Sequence, residues 1–132
     1  MTTNTLSSKN VVIIGGTAGI GLATAQAAAA LGAEVWAAGR SEAHIENAKK
    51  LSNGSFEIRQ ADTHDAESLE AIFTEVGDID HLVSAAVGGE RTLKPFLEQT
   101  EVQFRAAYDK LWGYAKVVRT GAPYLAKDGA IT

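Results

Sequence analysis

A run of apolar residues leads into a glycine-rich turn near the start of this chain, and this arrangement restricts the possible folds more than any other feature. The segment reads VVIIGGTAGIGLA, from Val11 to Ala23, and an alanine-rich stretch follows it up to Gly32. Successive β-branched residues are typical of a buried parallel strand, and glycine commonly ends a helix. The segment therefore predicts a strand over Val11–Ile14, a glycine loop, and a helix over Gly19–Leu31.

The three glycines spaced Gly15-x-x-x-Gly19-x-Gly21 have separate expected roles. Gly15 allows a tight turn off the strand, Gly19 lets a phosphate approach the backbone, and Gly21 lets the helix pack closely on the sheet. The helix start would offer unpaired N–H groups to an anion. A glycine-rich turn without a ligand is the competing interpretation. The loop predicts a phosphate-binding site formed by Gly15, Thr17, Ala18, Gly19, Ile20 and Gly21, with the Thr17 hydroxyl as an added donor.

The rest of the chain continues the alternation of strands and helices. We expect further strands at Glu34–Ala38, Ser55–Arg59 and Asp80–Val87, with a fifth beginning in the terminal DGAIT. We expect helices opened by Ser41, Asp65 and Thr100, ending near Leu51, Val76 and Lys127, with a bend at Gly121–Pro123 in the last.

Such alternation predicts a parallel sheet with helices on both faces. The expected fold class is α/β: a three-layer αβα Rossmann-type sheet, incomplete, with strands 1–4 and the start of strand 5. Residues 1–9 are expected to form a flexible N-terminus and residues 10–132 a single domain.

Charge and cysteine content narrow the possible partners. The net charge is −4 and no cluster of Lys and Arg stands out, so neither nucleic acid nor a membrane surface is expected as a partner. The chain has no cysteine, which leaves no disulfide or thiolate site and fits the cytoplasm, where we expect the protein. His44, His64 and His81 are too scattered for a metal site, so no metal is expected.

Several motifs resemble the short-chain dehydrogenase/reductase family. Its signature Thr-Gly-x-x-x-Gly-x-Gly stands here as IGGTAGIG, with Ile14 in the threonine position, and DHLVSAAVG stands where the family has Asp-x-Leu-Val-Asn-Asn-Ala-Gly. The resemblance implies an NAD(P)-binding Rossmann domain whose activity is hydride transfer between a nicotinamide and a carbonyl or alcohol carbon. It also implies that Asp62 and Thr63, in QADTHD, hold the adenine and that Ala85 and Ala86 leave room for a ribose.

Arg40 determines the expected cofactor. NAD-binding sites usually place an acidic residue about 20 residues beyond the glycines, to bond the ribose hydroxyls. Here the second strand runs into AAGRS, which has no carboxylate. A guanidinium suits a 2′-phosphate, and Ser41 can add a hydroxyl. We therefore expect NADP rather than NAD, as the resemblance also implies; a solvated surface arginine is the alternative.

The family's catalytic Ser and Tyr-x-x-x-Lys do not occur in this sequence. The residues four positions after Tyr108, Tyr114 and Tyr124 are Trp112, Val118 and Asp128. Lys110 takes the place of the family's helix Asn, since Asn-x-x-Gly reads KLWG here. We therefore assign no catalytic residue and expect a truncated NADP-dependent oxidoreductase, inactive alone. A catalytically silent nucleotide-binding or structural module, acting through self-association or a partner chain, is the alternative, and a methyltransferase is a weaker one.

An apolar seam along the last predicted helix predicts self-association. Its members recur at alternating steps of four and three: Phe104, Tyr108, Leu111, Ala115, Val118, Ala122 and Leu125. Together with an open, apolar edge of the sheet, this seam favours a homo-oligomer, either an ordinary dimer or one formed by exchange of elements between chains. The alternative is that the seam only covers its own sheet.

Overall fold

Five parallel strands form the centre of the molecule in a computed structural model that describes residues 5–89 and 91–132. The strands are β1 (Asn10–Ile14), β2 (Glu34–Gly39), β3 (Glu57–Gln60), β4 (Ile79–Ser84) and β5 (Leu125–Ile131). The helices are α1 (Gly19–Ala30), α2 (Glu42–Ser52), α3 (Ala66–Val76), α4 (Glu101–Ala106) and α5 (Asp109–Gly121). Short 3-10 turns lie at Phe96–Glu98 and Ala122–Tyr124.

The sheet order is β3-β2-β1-β4-β5, and every neighbouring pair is parallel. The chain builds outward from β1 to β3 and then crosses back to place β4 on the other side of β1. Val12 consequently pairs with Trp36 on one side and with Leu82 on the other. This reversal lies at β1, and the carboxyl ends of the strands there form the usual ligand crevice of open α/β sheets.

The residues of β1 alternate between two hydrophobic cores. Val11 and Ile13 pack with buried residues of α1 and α2 on one face. Val12 and Ile14 pack with buried residues of α3 and α5 on the other face. Because strand side chains alternate between faces, one continuously apolar strand supplies both cores. The predicted α/β fold class, with three αβα layers, is confirmed.

The last predicted helix is in fact two helices. Helix α4 ends at Ala106 and α5 begins at Asp109, and the amides of Ala107 and Tyr108 bond carbonyls three residues back, which tightens the turn between them. Helix α5 stops at Gly121, because Pro123 has no N–H for the next turn. The fifth strand therefore begins at Leu125, earlier than the predicted Asp128, and a register irregularity accommodates it beside β4.

The face of α5 that meets the sheet is a stripe of small residues. Gly113, Val117 and Gly121 are buried, at spacings of four. The predicted apolar seam lies on a different face, and its members Phe104, Tyr108 and Leu111 are exposed. Ala115, Val118 and Leu125 are half-buried, and Leu125 packs on the core that contains Val12, so the chain's own sheet covers only part of the seam.

The predicted flexible segment falls partly outside the described residues, since residues 1–4 are not described. Of the remainder, the Leu6 amide donates to the Leu31 carbonyl at 3.0 Å, and the Leu6 side chain packs against the core on the α1 side. Among the described residues, none of the helices has the length and apolar character needed to cross a bilayer.

Candidate dinucleotide-binding site

A cleft of about 380 Å³ lies at the carboxyl ends of β1, β2, β3 and β4. All the residues predicted from the sequence for the cofactor site line this cleft: Gly15, Thr17, Ala18, Gly19, Ile20, Gly21, Arg40, Ser41, Asp62, Thr63, Ala85 and Ala86. The structure adds lining residues that sequence reasoning did not select: Ile14, Gly39, His44, Ala61, Val87 and Gly88.

Strands on both sides hold the start of the glycine loop. The amides of Gly15 and Gly16 donate to the Ala38 carbonyl at 2.8 and 2.9 Å, and the Ala85 amide donates to the Ile14 carbonyl at 2.7 Å. Gly15 has φ +88°, a conformation that favours glycine, and a Cβ there would overlap the backbone of Ala85 and Ala86. The start of the loop is therefore fixed by hydrogen bonds to the end of β2 and by close packing against the residues that follow β4.

Gly19 and Gly21 lie in opposite environments. A Cβ on Gly19, whose φ is +54°, would meet nothing within 4 Å, whereas a Cβ on Gly21 would overlap the carbonyl of Gly15. Gly21 is thus required for close packing, and Gly19 leaves an open approach to the backbone from the cleft. Gly21 therefore has the packing role expected from the sequence, and phosphate binding at Gly19 stays a prediction.

Helix α1 begins without a side-chain cap. Ala18, at its N-cap, makes no side-chain hydrogen bond, and the first turn holds no acidic residue. In contrast, Ser41, Asp65 and Thr100 cap α2, α3 and α4, and each of those helices has an acidic residue in its first turn. The first amides of α1 therefore lack the side-chain acceptor that α2, α3 and α4 supply from their own sequence, and an anion in the cleft can replace it.

Thr17, which the sequence predicts as an added hydroxyl donor, lines the cleft but exposes little surface. Its side chain is 3% exposed, and its Oγ1 packs against Gly39 so closely that a Cβ on Gly39 would overlap it. Thr17 lines the cleft, but its main contact fixes the glycine loop against the end of β2.

Arg40 follows β2 directly and is exposed, with Ser41 and His44 beside it on the cleft wall. Ser41 serves as the cap of α2, because its Oγ accepts the His44 amide at 3.3 Å. His44 was not predicted as a residue of the cleft, because the three histidines were considered only as metal ligands. Its position three residues after the helix cap, in the turn that follows Arg40, was the signal that could have found it.

The loop after β3 holds Asp62 and Thr63. Asp62 Oδ1 accepts the His64 amide at 2.9 Å, and the Asp62 amide donates to Ser68 Oγ at 3.1 Å. Thr63 is buried and packs against α5 at Gly113, where a Cβ would lie 2.8 Å from Thr63 Oγ1. The missing side chain at Gly113 therefore lets this loop approach α5.

Asp109, at the start of α5, joins two of the loops that line the cleft. Its Oδ2 accepts the Gly89 amide at 2.7 Å and lies 3.0 Å from His64 Nε2. The hydrogen bond from His64 is the main cause that lowers the pKa of the Asp109 carboxyl. The Gly89 amide and the charges of His64 and Arg40 lower this pKa further, whereas partial burial raises it.

Lys110 is placed outside the cleft. It lines a second cavity of about 390 Å³ together with Arg91, Thr92 and Gln103. Within residues 5–89 and 91–132, no three His, Asp or Glu side chains are grouped as a metal site would require.

Comparison with known proteins identifies the family. The model of the short chain dehydrogenase family matches residues 9–131. The chain is 34% identical to L-xylulose reductase from Homo sapiens over 104 residues and 40% identical to galactitol 2-dehydrogenase from Rhizobium johnstonii over 75 residues. A solved structure described as a short chain dehydrogenase/reductase family protein superposes with a TM-score of 0.75 at 29% identity. The chain therefore belongs to the short chain dehydrogenase family, and membership implies a nicotinamide cofactor, NAD or NADP.

The chain spans only part of the length of these relatives. The matches cover 79% and 55% of this chain, but 41% of L-xylulose reductase and 29% of galactitol 2-dehydrogenase. The solved structure is matched over 89% of this chain and 50% of its own length.

Proposed function

We propose that residues 1–132 form the cofactor-binding part of an NADP-dependent oxidoreductase that interconverts a carbonyl and an alcohol. The observation that carries this proposal is the position of Arg40 in the same cleft as the uncapped start of α1. One cleft thus offers an anion site at a helix N-terminus and a cation where the ribose of a dinucleotide would lie.

The cleft residues fit a dinucleotide. The open space at Gly19 admits a phosphate to the backbone, and the amides of the first turn of α1 bind it. The small side chains of Ala85 and Ala86 leave room for a ribose, while Asp62 and Thr63 lie where the adenine would be held. When bound, the nicotinamide donates or accepts a hydride at the substrate carbon.

NADP is favoured over NAD by the charge at the end of β2. Arg40 is exposed there and the adjoining lining residues Gly39 and Ser41 carry no carboxylate. A charge-assisted hydrogen bond between this guanidinium and a 2′-phosphate is worth about 1.5–3 kcal/mol. The His44 side chain, on the same wall, adds positive charge when it is protonated.

Binding, rather than turnover, is the activity we assign to residues 1–132 alone. The sequence contains no Tyr-x-x-x-Lys, so it lacks the acid/base pair that the family resemblance implies for proton transfer to the substrate oxygen. Because this acid/base pair is lacking, a catalytically silent nucleotide-binding module stays an alternative. An assay for turnover tests this alternative as well as the assignment of binding alone.

Self-association with a second copy of the chain is proposed for the exposed α4–α5 apolar surface, which comprises Phe96, Phe104, Tyr108, Leu111 and Trp112. Phe96, Phe104 and Tyr108 stack edge to face, with ring centroids 5.4 and 5.6 Å apart. These contacts order an apolar surface that α5 does not turn toward its own sheet. Such ordered, exposed aromatic groups favour an interface between identical chains.

Isothermal titration of the purified chain with NADPH tests the proposal, with a parallel assay for oxidation of NADPH in the presence of mixed aldehydes and ketones. We expect saturable one-site binding and no turnover. Absence of NADPH and NADH binding would contradict the dinucleotide site. Turnover that survives further purification would contradict the assignment of binding alone and would exclude the silent module.

A further inference from the structure

We propose that Asp109 is a positioning residue for the adenosine end of the cleft, because its single carboxylate fixes the loop after β3 and the loop after β4 to the same point on α5. This inference rests on the proposed dinucleotide-binding function.

Two loops meet at this carboxylate. The Gly89 amide donates to Asp109 Oδ2 at 2.7 Å, and His64 Nε2 lies 3.0 Å from both carboxylate oxygens. A carboxylate only accepts hydrogen bonds, so the Nε2 atom of His64 must carry a proton in this contact. The bond to Gly89 holds the loop that contains Val87 and Gly88, and the bond to His64 holds the loop that contains Asp62 and Thr63.

The loop after β3 lies along one face of α5. Besides the contact of His64 with Asp109, Thr63 packs against Gly113, and Lys116 Nζ donates to the His64 carbonyl at 2.9 Å. Positions 109, 113 and 116 lie on one side of a helix. Three successive contacts on one helix face thus determine where Asp62 and Thr63 stand.

The loop after β4 depends more heavily on Asp109 itself. Gly88 has φ +86°, and a Cβ there would lie 2.9 Å from Asp109 Oδ2 and 3.0 Å from the Lys110 amide. The backbone of Gly88 and Gly89 therefore lies directly on the first turn of α5. Removing the carboxylate removes the acceptor that orders this backbone.

The two strands that carry these loops are not paired directly with each other. In the sheet, β1 and β2 lie between β4 and β3, so no hydrogen bonds between strands join the two loop-bearing strands. Beyond the strand ends, Asp109 is a residue to which both loops are hydrogen-bonded. Because both loops line the cleft, Asp109 controls the spacing of its walls without lining it.

The charged groups around this carboxylate define the test variants. His64 and Arg40 act on it directly by charge, while Asp62 and Lys116 bond the backbone of His64. Asp109→Ala removes both bonds. Asp109→Asn keeps an oxygen that can accept the Gly89 amide. His64→Ala releases the loop after β3 and leaves the bond to Gly89 in place. Asp128→Asn, at an exposed position in β5 outside the cleft lining, is the matched control.

Each variant is measured in two ways: amide hydrogen exchange at Gly89 in the ligand-free chain, and affinity for ADP as a probe of the adenosine and pyrophosphate end. For Asp109→Ala we expect exchange at Gly89 to rise and ADP affinity to fall, each by about tenfold. Asp109→Asn should restore most of the protection at Gly89. His64→Ala should weaken ADP binding but leave Gly89 protected, and Asp128→Asn should change neither.

Unchanged exchange at Gly89 in Asp109→Ala would overturn the inference, and so would unchanged ADP affinity in a wild-type chain that binds ADP. If the wild-type chain bound neither ADP nor NADPH, the proposed function would fail, while the exchange data would still decide whether Asp109 orders the loop. If Asp109→Ala did not fold, His64→Ala would decide: wild-type ADP affinity in this variant, or loss of protection at Gly89 in it, would contradict the inference.

Discussion

A Cβ on Gly21 would overlap the carbonyl oxygen of Gly15, so these two glycines bring the first helix against the end of the first strand. The contact gives the glycine loop a role in folding that is separate from the phosphate binding proposed for it. Replacing glycine by alanine inside a helix ordinarily stabilises it by about 0.5–1 kcal/mol. Here the overlap forces a backbone shift, and overpacking of this kind costs about 1–3 kcal/mol.

Gly21→Ala is therefore expected to lower the free energy of unfolding, contrary to helix propensity. Urea denaturation followed by circular dichroism measures it. Gln26→Ala is the control, because Gln26 is an exposed residue of the same helix and alanine there should not lower the free energy of unfolding. A Gly21→Ala chain as stable as wild type would show that α1 does not pack on Gly15 as described.

Gly19→Ala is expected to affect binding more than folding. The added Cβ meets no protein atom, and its φ of +54° costs roughly 1–2 kcal/mol for a residue with a side chain. The methyl group would, however, occupy the approach to the first amides of α1. We expect a folded chain whose NADPH affinity is reduced by about tenfold or more, measured by isothermal titration. Wild-type affinity in this variant would contradict phosphate binding at Gly19.

The acid dependence of stability should report on Asp109. The hydrogen bond from His64 lowers the pKa of its carboxyl below the ordinary value of 3.8. A carboxyl whose pKa is lower in the folded chain stabilises the fold above its unfolded pKa and loses that contribution as the pH falls through its folded pKa. The pair is partly solvated, so the contribution is below about 1 kcal/mol.

Urea unfolding of wild type and Asp109→Asn at pH 6, 4.5 and 3 measures this effect. We expect wild type to be the more stable chain at pH 6, with the difference shrinking toward pH 3. A difference that stayed constant over this range would contradict the ionised pairing of Asp109 with His64.

Trp112→Glu tests the α4–α5 apolar surface. Trp112 is 68% exposed, and a buried tryptophan at an interface commonly contributes more than about 1 kcal/mol to binding. Sedimentation velocity should show wild type associating and Trp112→Glu shifted toward monomer. Leu51→Glu, at an exposed apolar position on α2, is the control and should associate like wild type. A wild-type chain that stayed monomeric at its highest soluble concentration would contradict this interface.

Much of the fold could be predicted from the sequence because its signals are local. The apolar run of β1, the caps Ser41 and Asp65, and the capping box at Thr100 each depend on neighbouring residues, and the structure contains all of them. The break between α4 and α5 was missed because the apolar pattern continues through Tyr108 while the backbone does not.

The residues gathered in the cleft were predictable for a different reason. They follow the carboxyl ends of successive parallel strands, which the fold class alone brings to one edge of the sheet. The contact of Asp109 with His64 could not be foreseen in this way, because it joins side chains 45 positions apart through the packing of α5. The burial of Thr17 against Gly39 is likewise a tertiary contact without a local pattern.

Titration of NADPH and NADH into wild type and Arg40→Ala tests the central claim most directly. We predict that wild type binds NADPH at least about tenfold more tightly than NADH and that Arg40→Ala removes this preference, because a paired 2′-phosphate is worth about 1.5–3 kcal/mol. Arg119→Ala, at an exposed position on α5 away from the cleft, should retain the preference. Equal affinities for NADPH and NADH in wild type, or an unchanged preference in Arg40→Ala, would contradict the account.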